Sequence, residues 1–176
     1  VYTVGGTYAR YASELSGSDE ARVAKWAWTI NDKDLTKDTT TFDLNLFDTI
    51  LDSNGTDAET DVDGTKVIAP GTSGKFAIKV LNKSEVTASY TYKLEATNPS
   101  NIPIEYSLDG KSYTSDITTL NMTEAKNLEV GSAATEATIY WRWAIGDDRN
   151  ADDTALGFDG TAKVSVKATL NLTQVD

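Results

Sequence analysis

Carboxylates crowd two stretches of the sequence, and both invite a hard cation. In "DSNGTDAETDVDG" (52–64) the side chains of Asp52, Asn54, Asp57, Asp61 and Asp63 set oxygen donors around a glycine, and calcium takes such donors in sets of roughly six to eight. In "GDDRNADDTALG" (146–157) Asp147, Asp148, Asp152 and Asp153 repeat the crowding. Neither stretch has the EF-hand spacing with its closing glutamate. Surface loops whose charge keeps the chain dispersed account for both. No cofactor is therefore expected, and calcium at residues 52–63 is carried as the alternative.

Catalysis finds little to work with. The chain has no histidine and no cysteine, which removes the usual general base, the Ser-His and Cys-His arrangements and the two-histidine zinc site. Asp152 and Asp153 could in principle do acid–base work, but as neighbours on an extended stretch they point to opposite faces and imply no pocket. An enzyme is not expected.

The tryptophans pose a different choice. Trp26 and Trp28 lie two apart, as do Trp141 and Trp143, so each pair shares one face of a strand. On an exposed face they would stack sugars, which is the alternative function: a secreted carbohydrate-binding sandwich module. In a core they bring large apolar area with one donor each to satisfy, and that is the expectation. Arg142, between the second pair, then points outward towards an acidic neighbour in an assembly. Asn54, Asn82, Asn121 and Asn171 each begin an N-x-Ser/Thr triplet, a pattern that a Thr-rich chain produces readily by chance.

Charge narrows the partners. Sixteen basic residues against 27 acidic ones give a net charge of -11, the wrong sign for phosphate backbones or an anionic membrane. No run of about 18 apolar residues occurs, so no membrane span is expected. The length of 176 residues suits one domain with a buried core.

What must position these residues is a set of strands. Val86, Ala88, Tyr90, Tyr92, Leu94 and Ala96 alternate with polar residues, so one face is buried and the other wet. Phe76, Ile78 and Val80 precede them across "NKS", and the two runs are expected to pair as a hairpin. Further strands are expected at Trp26–Ile30, Phe42–Leu46, Ile102–Leu108, Ile139–Ile145 and Val164–Leu172. Short helical turns are expected at "DEARVAK", capped by Ser18, and within "NMTEAKNLEV". The expected fold class is all-β: an antiparallel β-sandwich, a jelly roll, spanning residues 13–176.

Residues 1–12 read as a separate arm. In "VYTVGGTYARY" the apolar residues Tyr2, Val4, Tyr8 and Tyr11 surround Gly5 and Gly6, with Arg10 as the one charge. Glycines would weaken an ordinary edge strand at its middle. They suit a strand that lies in a groove of a neighbouring copy, where backbone pairing and close approach are both needed. Tyr2, Val4, Gly5, Gly6, Tyr8 and Tyr11 are the candidate interface residues.

Three stretches also carry a resemblance. "VGGTYARY", "IAPGTSGKFAIKVLNKSEVTASYTYKLEA" and "IYWRWAIGDDRNADDTALG" resemble, in order, the region at the signal-peptide cleavage site, the hallmark hairpin (a Pro-Gly turn, an alternating strand, an Asn turn and a second long strand) and the aromatic strand with its acidic loop in the TasA and camelysin family of secreted Gram-positive biofilm proteins. The resemblance implies a jelly-roll subunit, secreted to the extracellular matrix or cell surface, that polymerises by donating its N-terminal strand, with itself and other matrix proteins or polysaccharide as partners. It also implies cleavage near the end of "GGTYA", which would start the mature chain close to Arg10 and leave little of the apolar arm. The metalloprotease label of camelysin-like proteins finds no histidine here to receive it.

Overall fold

The structure, a computed structural model, describes residues 22–35, 41–44, 46–58, 61–62 and 65–175. In chain order the strands are β1 (Trp28–Ile30), β2 (Lys33–Asp34), β3 (Thr41–Asp43), β4 (Asp61–Val62), β5 (Thr65–Lys66), β6 (Ser73–Asn82), β7 (Ala88–Thr97), β8 (Ile104–Ser107), β9 (Lys126–Leu128), β10 (Ala133–Trp143) and β11 (Ser165–Gln174). The four long ones are the stretches with sustained apolar–polar alternation, because period two buries one face of a strand and wets the other.

They build two antiparallel sheets, ordered β2-β1-β6-β10-β8 and β3-β11-β7-β9, with β4 and β5 paired as a separate ribbon. Trp28, Ile78, Val80, Ile139 and Trp141 of the first sheet share one buried cluster with Tyr90, Tyr92, Leu94, Val166 and Leu170 of the second. The rings of Trp28 and Tyr90 meet across it at 6.0 Å. The expectation of an all-β antiparallel fold is met.

The expected hairpin is not formed. β6 pairs with β1 and β10, while β7 pairs with β11 and β9, so the connection at residues 83–87 carries the chain from one sheet to the other. Strands joined this way face each other across the core instead of bonding edge to edge. Alternation cannot separate the two cases, since each strand buries one face in either. Asn82 makes the difference: wholly buried, it donates from Nδ2 to the carbonyls of Val86 and Leu128, both at 3.0 Å, and accepts from the Ser84 amide at 2.8 Å. Its side chain replaces the backbone pairing that a hairpin would supply. Asn82→Ala would strand two buried carbonyls and an amide, and each such group costs about 1–3 kcal/mol. A urea titration should show a loss of about 3 kcal/mol or more; a loss under about 1 kcal/mol would deny Asn82 this role.

Three further expectations need correction. "GDDRNADDTALG" is no irregular loop: a 3-10 turn at Asp147–Arg149 leads into helix α1 (Asn150–Asp159). Asp152 and Asp153 sit in its first turn, where the helix dipole favours acids, and Gly160 ends it at φ 62. No residue of α1 is buried, so no apolar periodicity announced it. "NMTEAKNLEV" holds strand β9, and the 3-10 turn lies just before it at Ile117–Leu120. In "DEARVAK" the described residues Arg22–Lys25 are not helical. They run beside 83–85, where the Glu85 amide donates to the Lys25 carbonyl at 3.0 Å and Lys83 to Ala27 at 2.8 Å. Ser18 lies outside the described residues.

Candidate assembly edges

A sheet ends in a row of unpaired N–H and C=O groups, which template pairing with another chain unless they are blocked. At several points this molecule meets such groups with single side chains or short returns of its own backbone. On β7, beyond the reach of β9, the Leu94 amide donates to Asn121 Oδ1 at 2.6 Å and the Met122 amide donates to the Tyr92 carbonyl at 3.2 Å. Asn121 follows the Ile117–Leu120 turn, which Asp116 caps through the Thr118 amide. On β8, Tyr106 and Thr114 exchange both amide bonds at 2.7 and 2.9 Å.

β6 is closed at two points. Leu51 exchanges bonds with Ser73, and Asn31, held at φ 47, donates its amide to the Lys79 carbonyl while its Oδ1 accepts from the Lys79 amide. Between them, no described residue meets the outward groups of Lys75 and Ala77.

β11 is different. It pairs with β7 along its ten residues, but on its other side β3 covers only Lys167–Thr169. The Leu44 amide donates to the Val166 carbonyl at 2.8 Å. Alternate residues of a strand direct their backbone groups to the same side, so Leu170, Leu172 and Gln174 also face outward. No described residue bonds to those outward groups. Their side chains belong to the inner face: Leu170 is buried and Leu172 half-buried against the core.

The candidate interface residues Tyr2, Val4, Gly5, Gly6, Tyr8 and Tyr11 lie outside the described residues. The description begins at Arg22, whose guanidinium makes a two-pronged contact with Glu85 at 2.7 Å. That contact, with the Lys25 amide, pulls the Glu85 carboxyl down to about 2 and fixes the chain's entry at the 83–87 end of the sandwich.

Among the described residues the acidic stretches do not converge on a cation. Asp52 Oδ1 accepts from the amides of Asn54 and Thr56 at 2.8 and 2.9 Å, bonds that lower its pKa. That oxygen shapes a turn, and Asn54 and Asp57 are exposed around it. Asp63 and the Asp61 side chain lie outside the description. Among the described residues no group of three or more acidic, histidine or cysteine side chains is placed to hold a metal. Asp153 accepts from Trp143 Nε1 at 3.2 Å, tying α1 to the sandwich. Beside it two clefts of about 370 and 320 Å³ share Asn101, Pro103 and Arg149.

Trp28, Trp141 and Trp143 are buried and Trp26 is half-buried, so the core expectation is met and no exposed indole platform exists for sugars. Arg142 is half-buried, not free for an outside acid: Nε donates to Glu105 Oε2 at 2.7 Å and the guanidinium lies over the Tyr113 ring at 3.9 Å. Two of the four Asn triplets are structural, Asn82 in the sheet crossing and Asn121 on the β7 edge. The sequence offered no signal for Asn31 or Asn121 as edge blockers beyond their residue type, which supplies an amide mimic on a short stem.

No protein-family model matches the chain, and no curated protein or solved structure matches it at a significant level.

Proposed function

We propose that the chain is an exported structural subunit, a jelly-roll sandwich that assembles head to tail into extracellular fibres by lending residues 1–11 to a neighbouring copy. The observation that carries this reading is the contrast among sheet edges: β7 and β8 are blocked by their own chain, and β11 keeps outward backbone groups that no described residue meets. An apolar, glycine-broken arm of alternating pattern is a matching occupant. The resemblance to secreted biofilm proteins points the same way. Donation from each copy to the next does not close on itself, and an open chain of such contacts is a filament. The partner is the chain itself. No helix among the described residues is long and apolar enough to cross a membrane.

Negative-stain imaging of the full chain at rising concentration tests the reading directly, with fibres as the expected result. Val4→Asp sharpens it. A carboxylate buried at the junction costs several kcal/mol, and each 1.4 kcal/mol is about tenfold in the concentration needed for assembly. The variant should need at least roughly a hundredfold more protein to form fibres at an unchanged monomer melting temperature. An equal loss of monomer stability would place Val4 in its own core.

A further inference from the structure

We propose that Asn54 is a site of spontaneous deamidation through a succinimide closed by the Gly55 nitrogen, and that Asp52 sets its rate by holding the turn around it. The residue types make the reaction possible. An asparagine side-chain carbon can be attacked by the backbone nitrogen of the next residue, and a side chain on that residue hinders the approach. Asn54 is the only asparagine of the chain that a glycine follows. Both residues are exposed. A Cβ placed on Gly55 would meet nothing within 4 Å beyond its chain neighbours, so that side of the nitrogen is open.

The step needs no co-reactant but water. The Gly55 nitrogen bonds to Asn54 Cγ, the Cγ–Nδ2 bond breaks, and ammonia leaves carrying the proton that the Gly55 nitrogen gives up. The five-membered ring so formed contains both carbonyl carbons of residue 54. Water opening it at Cγ gives aspartate. Water opening it at the backbone carbonyl gives isoaspartate, in which the main chain runs through the former side chain.

The folded turn holds this step back. The Gly55 amide donates to the Asp52 carbonyl at 3.0 Å, which occupies the nucleophile's own N–H. Asp52 Oδ1 accepts from the Asn54 and Thr56 amides at 2.8 and 2.9 Å, so the peptides on both sides of the reacting pair are pinned to one carboxylate. Those bonds lower its pKa and keep it ionised as an acceptor. Further out, the Asp52 amide donates to the Thr56 carbonyl and the Ala58 amide to the Ile50 carbonyl, both at 2.8 Å. Ile50 is buried and Leu51 exchanges bonds with Ser73 of β6, so the base of the hairpin 50–58 is fixed. Bringing the Gly55 nitrogen onto Asn54 Cγ requires the peptide between the two residues to rotate. In this turn that rotation breaks bonds to Asp52.

Asp109–Gly110 supplies an internal contrast. An aspartate closes the same ring from its protonated carboxyl, losing water. Asp109 Oδ1 accepts from the Ser107 hydroxyl and from the Lys111 and Ser112 amides, each at 2.8 Å, and these bonds hold the carboxyl well below the usual range. It stays ionised where the amide of Asn54 reacts.

Isoaspartate at 54 adds one carbon to the main chain at the tip of the turn and a carboxylate close to Asp52 and Asp57. The short bonds from Gly55 and Thr56 to Asp52 cannot all survive the longer path, and the hairpin loosens where it meets β6.

The test holds the full chain in mildly alkaline buffer and follows each site by peptide mapping with mass spectrometry, using an isoaspartyl methyltransferase to tell isoaspartate from aspartate. Both products are expected at residue 54 and neither ring opening nor isoaspartate at residue 109, at a rate that rises with pH. The same chain unfolded in urea should react at residue 54 roughly tenfold faster, because the turn bonds no longer oppose the rotation. Folded Asp52→Ala should recover most of that acceleration. Asp52→Asn keeps an Oδ1 acceptor without the charge, and since neutral acceptors bind more weakly its rate should rise by no more than roughly threefold. Circular dichroism matching the parent's shows that both variants are folded, and the comparison in urea stands without them. No product at residue 54, folded or unfolded, overturns the site. Aspartate without isoaspartate overturns the succinimide route. A folded parent as fast as the unfolded chain, Asp52→Ala no faster than the parent, or Asp52→Asn as fast as Asp52→Ala overturns the role of Asp52.

Discussion

A chain lacking residues 1–11 is expected to remain a folded monomer and to form no fibres at any concentration at which the full chain does. The first half follows from the described core: Arg22 to Gln174 already supply both sheets, the buried cluster and the Arg22–Glu85 clasp at the entry point. The second half follows from where polymer affinity would arise. Backbone bonds along an open edge contribute about 0.5–1.5 kcal/mol each, and a buried Tyr or Val side chain about 1.5–3 kcal/mol. Removing the donor removes both at once, and no tuning of salt or concentration restores them. Electron microscopy together with sedimentation reads the outcome. Fibres of normal appearance from the truncated chain would end the donation mechanism, and an unfolded truncated chain would place the arm inside its own domain.

The largest loss of monomer stability is expected from Trp141→Ala. Trp141 is fully buried at the end of the sandwich. Its Nε1 donates to the Leu46 carbonyl at 2.6 Å, and its ring meets Phe47 edge-on at 4.9 Å. Gly74 faces it because nothing larger fits: a Cβ there would lie 2.5 Å from the Thr49 carbonyl oxygen and 2.6 Å from the indole nitrogen. Truncating a buried tryptophan costs about 3–5 kcal/mol, and the stranded Leu46 carbonyl adds about 1–3 kcal/mol. A domain of this size holds about 5–15 kcal/mol in total, so the variant should be largely unfolded at 37 °C or melt far below the parent. Trp141→Phe keeps most of the volume and should lose much less. Circular dichroism melts and urea titrations separate the two; an alanine variant within about 1 kcal/mol of the parent would contradict the packing described.

The strands were legible where every second residue is buried, at 78–82 of β6, 88–94 of β7, 139–143 of β10 and 166–170 of β11, and so was the burial of Trp28, Trp141 and Trp143; a register shift between Thr135 and Ala137 breaks the first half of β10. Pairing was not. Val80 and Tyr90 look like hairpin neighbours in sequence, and only the side-chain chemistry of Asn82 turns them to face each other across the core. Helix α1 escaped notice for a related reason: none of its residues is fully buried and Leu156 alone among its apolar side chains packs partly on the core, so its clearest marks are acids in the first turn and Gly160 after the last. Edge control was the least visible part. Asn31 and Asn121 act by reaching a backbone amide far away in sequence, Lys79 and Leu94 in turn, and no local pattern encodes such a reach. The apolar, glycine-broken character of residues 1–11 was open to view from the start.

The placement of β11 also bears on timing. As an interior strand of its sheet it separates β3 from β7, which cannot bond to each other in its absence. A chain emerging from the ribosome can therefore join neither strand to its neighbour on that side until residues 165–174 are delivered. Long-range closure of this kind slows folding. The nascent sheet stays unjoined until that long strand is free to insert between its neighbours.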